Sequence, residues 1–264
     1  MTQAKSKQVS DGWDMNRHGG MGMNLTALLH VKSDELQQNI LSTYFTLRIG
    51  IVVLSIGLPL VLWFGGVLWG GIDGIAHSMS AYYGEHGGSM RNWFVGVLWG
   101  VGWFLYAYKG FSPLEDWLLN FAGLFAVGVA MFPCNCWADA NGSNQPLHYV
   151  SAVLFFVCMA LVCFLCAKDT IPLLPDEPTK ESFRRRYHII GGLLLIWPLL
   201  SFGVSYVLHQ WESRTFFLEA IGVLVFAFYW WTKTREFQTT SAEQLAARGK
   251  VENRKGVGLV RVAP

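Results

Sequence analysis

Charged residues are scarce. Asp, Glu, Lys and Arg make up 14% of the 264 residues, while 52% are hydrophobic. A water-soluble domain of this length needs more charge to cover its surface, so composition argues against an ordinary soluble globule. Neither sign of charge dominates. A net charge of +2 gives no basic field and no reason to expect nucleic acid as a partner. The first forty residues lack an apolar core and a small-residue cleavage site, so no cleavable signal peptide is read and the first membrane helix is expected to act as an uncleaved anchor. No phosphate-cradling glycine loop, Gly-x-Ser-x-Gly elbow, His-Glu-x-x-His helix or haem-attachment motif is present. There is also no arginine-studded helix and no file of charges through the apolar runs, which ranks a channel or transporter last.

What the chain has instead is long apolar runs and many rings. Aromatics reach 15%, twelve of them tryptophans, which suits the water–lipid boundary. A membrane helix needs about 20 apolar residues. Six candidates meet that length roughly: 45–67, 92–109, 114–132, 147–167, 188–208 and 214–232, with Pro59 and Pro198 as expected kinks or interruptions. The sequence therefore predicts an all-α, polytopic helix bundle with six transmembrane helices. Basic residues set its sides. Lys5, Lys7, Arg17, Lys32, Lys109, Lys168, Lys180, the Arg184–Arg186 run and the C-terminal set from Lys233 onwards all fall on one side, which places both termini in the cytoplasm. The arrangement is expected to sit in the inner (plasma) membrane. Its organisation is read as a tail over 1–32, a membrane domain over 33–235 with a lead-in helix capped by Ser33, and a tail over 236–264.

Within the spans, the second carries Gly96, Gly100 and Gly102, of which Gly96 and Gly100 stand four apart, the spacing for close helix approach, and Ala122, Gly123, Ala126, Gly128 and Ala130 make the third span equally small-sided. The second and third spans are thus the expected tight centre. Glu115 and Asp116 open the third span as first-turn acids that suit the helix dipole. Glu219 is the odd residue of the sixth span.

The chemistry sits in two connections on the outer side. The first is HSMSAYYGEHGGSMR, residues 77–91; the second is PCNCWADANGSNQP, residues 133–146. His77, Ser78, Ser80, Tyr82, Tyr83, Arg91, Asp139 and His148 are the candidate ligand-binding residues, with Arg91 the natural partner for a phosphate or carboxylate. The 77–91 stretch is expected to cap the second and third helices, its hydroxyls and His77 meeting His148. Cys134 and Cys136 admit either a disulfide or, with His148 and His77, a metal contact; zinc or copper would be the ion, and no cofactor is otherwise implied. His209 and Glu212 lie in the fifth connection and could join the pocket. Cys158, Cys163 and Cys166 read as small apolar helix residues.

On these residues the chain resembles the six-span Frag/DRAM-type membrane families, closest to their uncharacterised prokaryotic relatives. The resemblance rests on Ser-x-Ser-Ala-Tyr-Tyr (78–83), Arg-Asn-Trp-Phe-Val-Gly-Val-Leu (91–98), Gly-Val-Ala-Met-Phe-Pro (128–133) and His-Tyr-Val-Ser-Ala-Val-Leu-Phe-Phe (148–156), and covers roughly 45–232. It places Ser78 or Ser80, Phe132 with Pro133, and His148 at the family's recurring positions. It implies a six-helix protein linked to lipid or membrane homeostasis. A fainter likeness is to metal hydrolases of the alkaline-ceramidase type, with Ser80, Asp139, His77, His148 and His209 supplying the residue types, although the paired His-x-x-x-His of their last helix is absent. The first expectation is therefore a protein that binds or senses a lipid or small ligand at its outer face, with membrane lipids and a second copy of the chain as partners. The alternative is a metal-dependent lipid hydrolase.

Overall fold

The computed structural model describes residues 13–15, 21–23, 25–136, 146–207, 214–242, 245, 250–254 and 258–261. They divide into two compact units, Met1–Tyr44 and Phe45–Pro264. In the first, strands β1 (Trp13–Met15) and β2 (Met21–Met23) pair antiparallel, Trp13 opposite Met23. Helix α1 begins in this unit, at Leu25, and continues to Leu68. The expected start at Ser33 is too late. Residues 25–44 contain neither glycine nor proline, so nothing in that stretch stops helix propagation before the cap.

The second unit is a bundle. After α1 come α2 (Arg91–Ala107), α3 (Pro113–Met131), α4 (Pro146–Leu161), α5 (Glu177–Val207) and α6 (Arg214–Thr240). The helix of α4 runs on through a π turn over Val162–Cys166. Pro59 and Pro198 both lie inside continuous helices. A final hairpin pairs β3 (Val251–Arg254) with β4 (Gly258–Arg261).

Cross-contacts show that the helices alternate in direction. At one end the His77 carbonyl accepts from Phe216 N, and His148 reaches Ser80 and the Phe132 carbonyl. At the other, Lys233 reaches Thr170, Tyr187 donates to Glu236, and Arg48 lies over the Tyr108 and Phe237 rings. The first of these is called the cap end below.

The burial pattern is that of a chain in lipid. Val53, Leu124, Phe64 and Phe228 are each more than half exposed on helix surfaces, while Arg48, Glu115, Lys233 and Glu236 are buried. Water would drive the opposite sorting. Among the described residues, four helical stretches, Glu35–Leu68, Pro113–Met131, Pro146–Leu173 and Thr215–Thr240, are long and apolar enough to cross a membrane. The fold is thus all-helical and built for a bilayer.

Helix α3 is the central one. Ser112 caps it, accepting from Glu115 N at 3.4 Å, and Pro113 fills the first helical position. The two first-turn acids fold back further than a dipole requires: Asp116 accepts from Gly110 N at 2.6 Å and Glu115 from Phe111 N at 2.9 Å. The α3 small residues Ala122, Gly123, Ala126 and Ala130 face inward, with Leu119. A Cβ on Gly123 would stand 2.6 Å from the Gly102 carbonyl oxygen of α2, and one on Gly128 would stand 2.6 Å from Ser151 Oγ of α4. The second and third spans do pack closely, but through Gly102 and Gly123. Gly96 faces open space, and Gly100 meets only the Leu54 side chain of α1.

Candidate functional site

The polar stretch before α2 folds inward. Ser80–Tyr83 forms a 3-10 turn with Ser80, Ala81 and Tyr82 buried. Ser78 Oγ caps this turn, accepting from Ala81 N at 3.0 Å. The Tyr82 hydroxyl accepts from Ala76 N at 3.3 Å, and its ring lies 5.9 Å from Phe216. Burial pushes the Tyr82 phenol above its usual range, so it remains protonated and neutral. Leu58, Leu62, Met90, Phe94 and Phe216 pack around the turn as an apolar socket.

Two side chains from other helices hold the turn in that socket. Glu219 of α6 accepts from Met79 N through Oε2 at 2.6 Å. His148 of α4 is 4% exposed, and its Nε2 stands 3.0 Å from Ser80 Oγ. Its Nδ1 lies 2.8 Å from the Phe132 carbonyl oxygen and 3.2 Å from that of Val129. A carbonyl oxygen only accepts, so Nδ1 bears the proton and Nε2 accepts from Ser80. The Phe132-Pro133 corner and His148, two separate features of the sequence, are therefore one local structure: the proline stops α3, and the carbonyl it leaves unpaired orients the histidine.

Cys134 and Cys136 are joined by a disulfide, Cα to Cα 5.2 Å. Asn135 between them adopts φ +54°, a left-handed conformation that asparagine tolerates. Cys136 Sγ is 3.5 Å from Ser78 Oγ, so this loop closes over the turn. Of the alternatives open for the cysteines, the structure has the disulfide, and both sulfurs are occupied by each other. Among the described residues no three His, Cys, Asp or Glu side chains converge as a metal site. His148 spends both ring nitrogens on Ser80 and the two carbonyls. His77 is exposed and contributes its carbonyl to Phe216 N. It is Ser80 that meets the His148 ring.

Arg91 lies apart from this buried cluster. It is exposed at the start of α2, with Nε donating to the Tyr83 carbonyl at 2.8 Å and the guanidinium 4.8 Å above the Tyr83 ring. Gly88, at φ +81°, makes room: a Cβ there would stand 2.5 Å from an Arg91 terminal nitrogen. Asp139, His209 and Glu212 lie outside the described residues. Sequence reasoning had Glu219 as an oddity of the sixth span without its role. The signal was there, a lone carboxylate in an apolar helix that needs partners, but not which backbone would supply them.

The opposite end carries a second buried set that sequence reasoning missed. Lys233 Nζ lies 2.9 Å from Thr170 Oγ1 and 3.4 Å from Glu236 Oε2, with both members of the ion pair at most 1% exposed. Tyr187 donates to the same Glu236 oxygen. A groove lined by Arg186, Ile189, Leu193, Ile221 and Phe228 runs between α5 and α6, away from the cap-end cluster.

Long apolar helices enclosing buried polar clusters at both ends define a helical membrane protein. Residues 52–235 match a family described as "Protein of unknown function (DUF998)", and the chain belongs to that family. No curated protein and no solved structure matches it.

Proposed function

We propose that this chain is a six-span plasma-membrane protein with cytoplasmic termini that binds or senses an anionic lipid headgroup, or a small anion of like chemistry, at its outer face through Arg91. The observation that carries this is the posture of Arg91. Its guanidinium is exposed yet held by a carbonyl and a ring, so little side-chain freedom remains to be lost on binding. The hydrogen bond that holds it runs through Nε, on the edge away from the two terminal nitrogens. A planar fork of that kind takes a phosphate or carboxylate through two parallel bonds.

The sidedness has two supports. Lys109, Lys168, Lys180 and Arg184–Arg186 cluster at the end away from the cap, as cytoplasmic loops require. The Cys134–Cys136 disulfide sits at the cap end, and disulfides persist in oxidising compartments. Impermeant maleimide applied to intact cells should label Asp73→Cys, and should reach Glu177→Cys only after lysis. The reverse pattern overturns the orientation.

Arg91→Ala should weaken binding to vesicles containing phosphatidylglycerol by about 10- to 100-fold, the equivalent of one charge-assisted pair. Neutral phosphatidylcholine vesicles give the baseline. Equal binding by wild type and variant removes Arg91 from the function.

A further inference from the structure

Ser80 and His148 have the geometry of an activated nucleophile. The serine hydroxyl donates to a ring nitrogen at 3.0 Å, and the ring's other nitrogen is fixed by acceptors at 2.8 and 3.2 Å. This is the ordering that serine nucleophiles use: hydroxyl on base, base on an orienting group. Here two backbone carbonyls, those of Phe132 and Val129, stand where a carboxylate often does. They fix the tautomer equally well, because neither can donate. Of the neighbouring hydroxyls, Ser78 and Tyr82 instead accept from backbone N–H groups.

We propose that Ser80 and His148 form a nucleophile–base pair for acyl transfer, with a fatty-acyl ester as substrate. The surroundings select that class. The side chains around the turn are apolar and buried, including Met90, Phe94 and Phe216, a lining that matches an acyl chain rather than a polar group. The acidic group against the turn is Glu219, bonded to the residue before Ser80. A carboxyl group there disfavours an anionic phosphodiester and leaves a neutral ester as the reacting group.

In the first step Ser80 Oγ bonds to the ester carbonyl carbon while its proton moves to His148 Nε2. The carbon–oxygen bond to the leaving alcohol then breaks, and that oxygen takes the proton from Nε2. Acyl-Ser80 and free alcohol result. In the second step a water oxygen attacks the acyl carbon, gives its proton to Nε2, and the Ser80 oxygen leaves and recovers that proton. The acid departs and both residues are restored. Neither an oxidant nor a metal enters the balance.

This goes beyond anion binding at Arg91 and is judged on the reactivity of Ser80 alone. The test treats purified full-length protein in detergent with a long-chain alkyl fluorophosphonate and maps the adduct by peptide mass spectrometry. The expected result is one adduct, with loss of fluoride, on Ser80. Ser80→Ala should abolish it. His148→Gln should slow labelling by about 100-fold or more, the usual worth of a positioned base. Folded, monodisperse wild type that carries no adduct on Ser80 overturns the proposal, whether or not either variant folds. Equal labelling rates in wild type and a folded His148→Gln protein overturn it as well.

Discussion

Lys233→Met should cost about 3–5 kcal/mol of stability, the usual consequence of removing one partner from a buried ion pair. The ammonium lies 3.4 Å from Glu236 and 2.9 Å from the Thr170 hydroxyl, with the Tyr187 and Phe237 rings at 5.5 and 4.8 Å. Methionine matches the stem in volume but leaves Glu236 charged with only the Tyr187 hydroxyl for company. Glu236 Oε1 already lacks a hydrogen-bond partner, so the carboxylate depends on the ammonium more than its distance alone suggests. The paired variant Lys233→Met with Glu236→Gln removes both charges and should recover most of the loss. Chemical unfolding in detergent, run as a double-mutant cycle, measures the coupling. Additive losses would show that the two residues act independently and that the buried pair contributes nothing.

That cluster marks where the sequence stopped being informative. Of the six apolar runs, four coincide with helices long and apolar enough to cross a membrane among the described residues, and these were legible because a membrane helix must be continuous and about 20 residues long. The first-turn acids of α3 and its small-residue face were legible because each is a local pattern. Ser78, Ser80, Tyr82 and His148 were legible as an unusual polar group beside apolar runs, and the structure draws them to the same end. What could not be read was partnership across helices. Lys233 was read with the basic residues of the C-terminal end and Arg48 was not singled out, because hydropathy ranks a residue by its neighbours in sequence. In the fold both are buried against α6 or the chain after α4. His77 and Ser80 were equal candidates for His148, since a turn of unknown geometry can present either. The 3-10 turn at Ser80–Tyr83 decides it for Ser80. The tails differ for another reason: amphipathic or polar stretches without proline or glycine leave helix length open, and α1 used that freedom to begin at Leu25.

Gly123→Val should be the most disruptive single change within the apolar core, and Gly96→Ala on the neighbouring helix should be harmless. The contrast isolates backbone approach from generic small-residue preference. At Gly123 a new Cβ meets the Gly102 carbonyl oxygen at 2.6 Å, and at Gly102 it meets the Gly123 carbonyl oxygen at 2.8 Å. A backbone oxygen cannot swing aside as a side chain can, so α2 and α3 must separate. Separation also pulls α3 from α4, where Gly128 takes the Ser151 side chain at 2.6 Å. Overpacking a well-fitted contact costs about 1–3 kcal/mol, and here the lost dispersion along both interfaces adds to it. In a membrane that loss is not offset by a hydrophobic drive between helices, because lipid is as apolar as the partner. Gly96 has nothing within 4 Å, so alanine there should be neutral or raise stability by up to about 1 kcal/mol through helix propensity. Both variants are read by the temperature at which the detergent-solubilised protein loses monodispersity. A Gly123→Val protein as heat-resistant as wild type would mean that α2 and α3 do not approach through these two glycines. A Gly96→Ala protein that falls apart would move the tight contact back to the four-residue spacing that the sequence alone suggested.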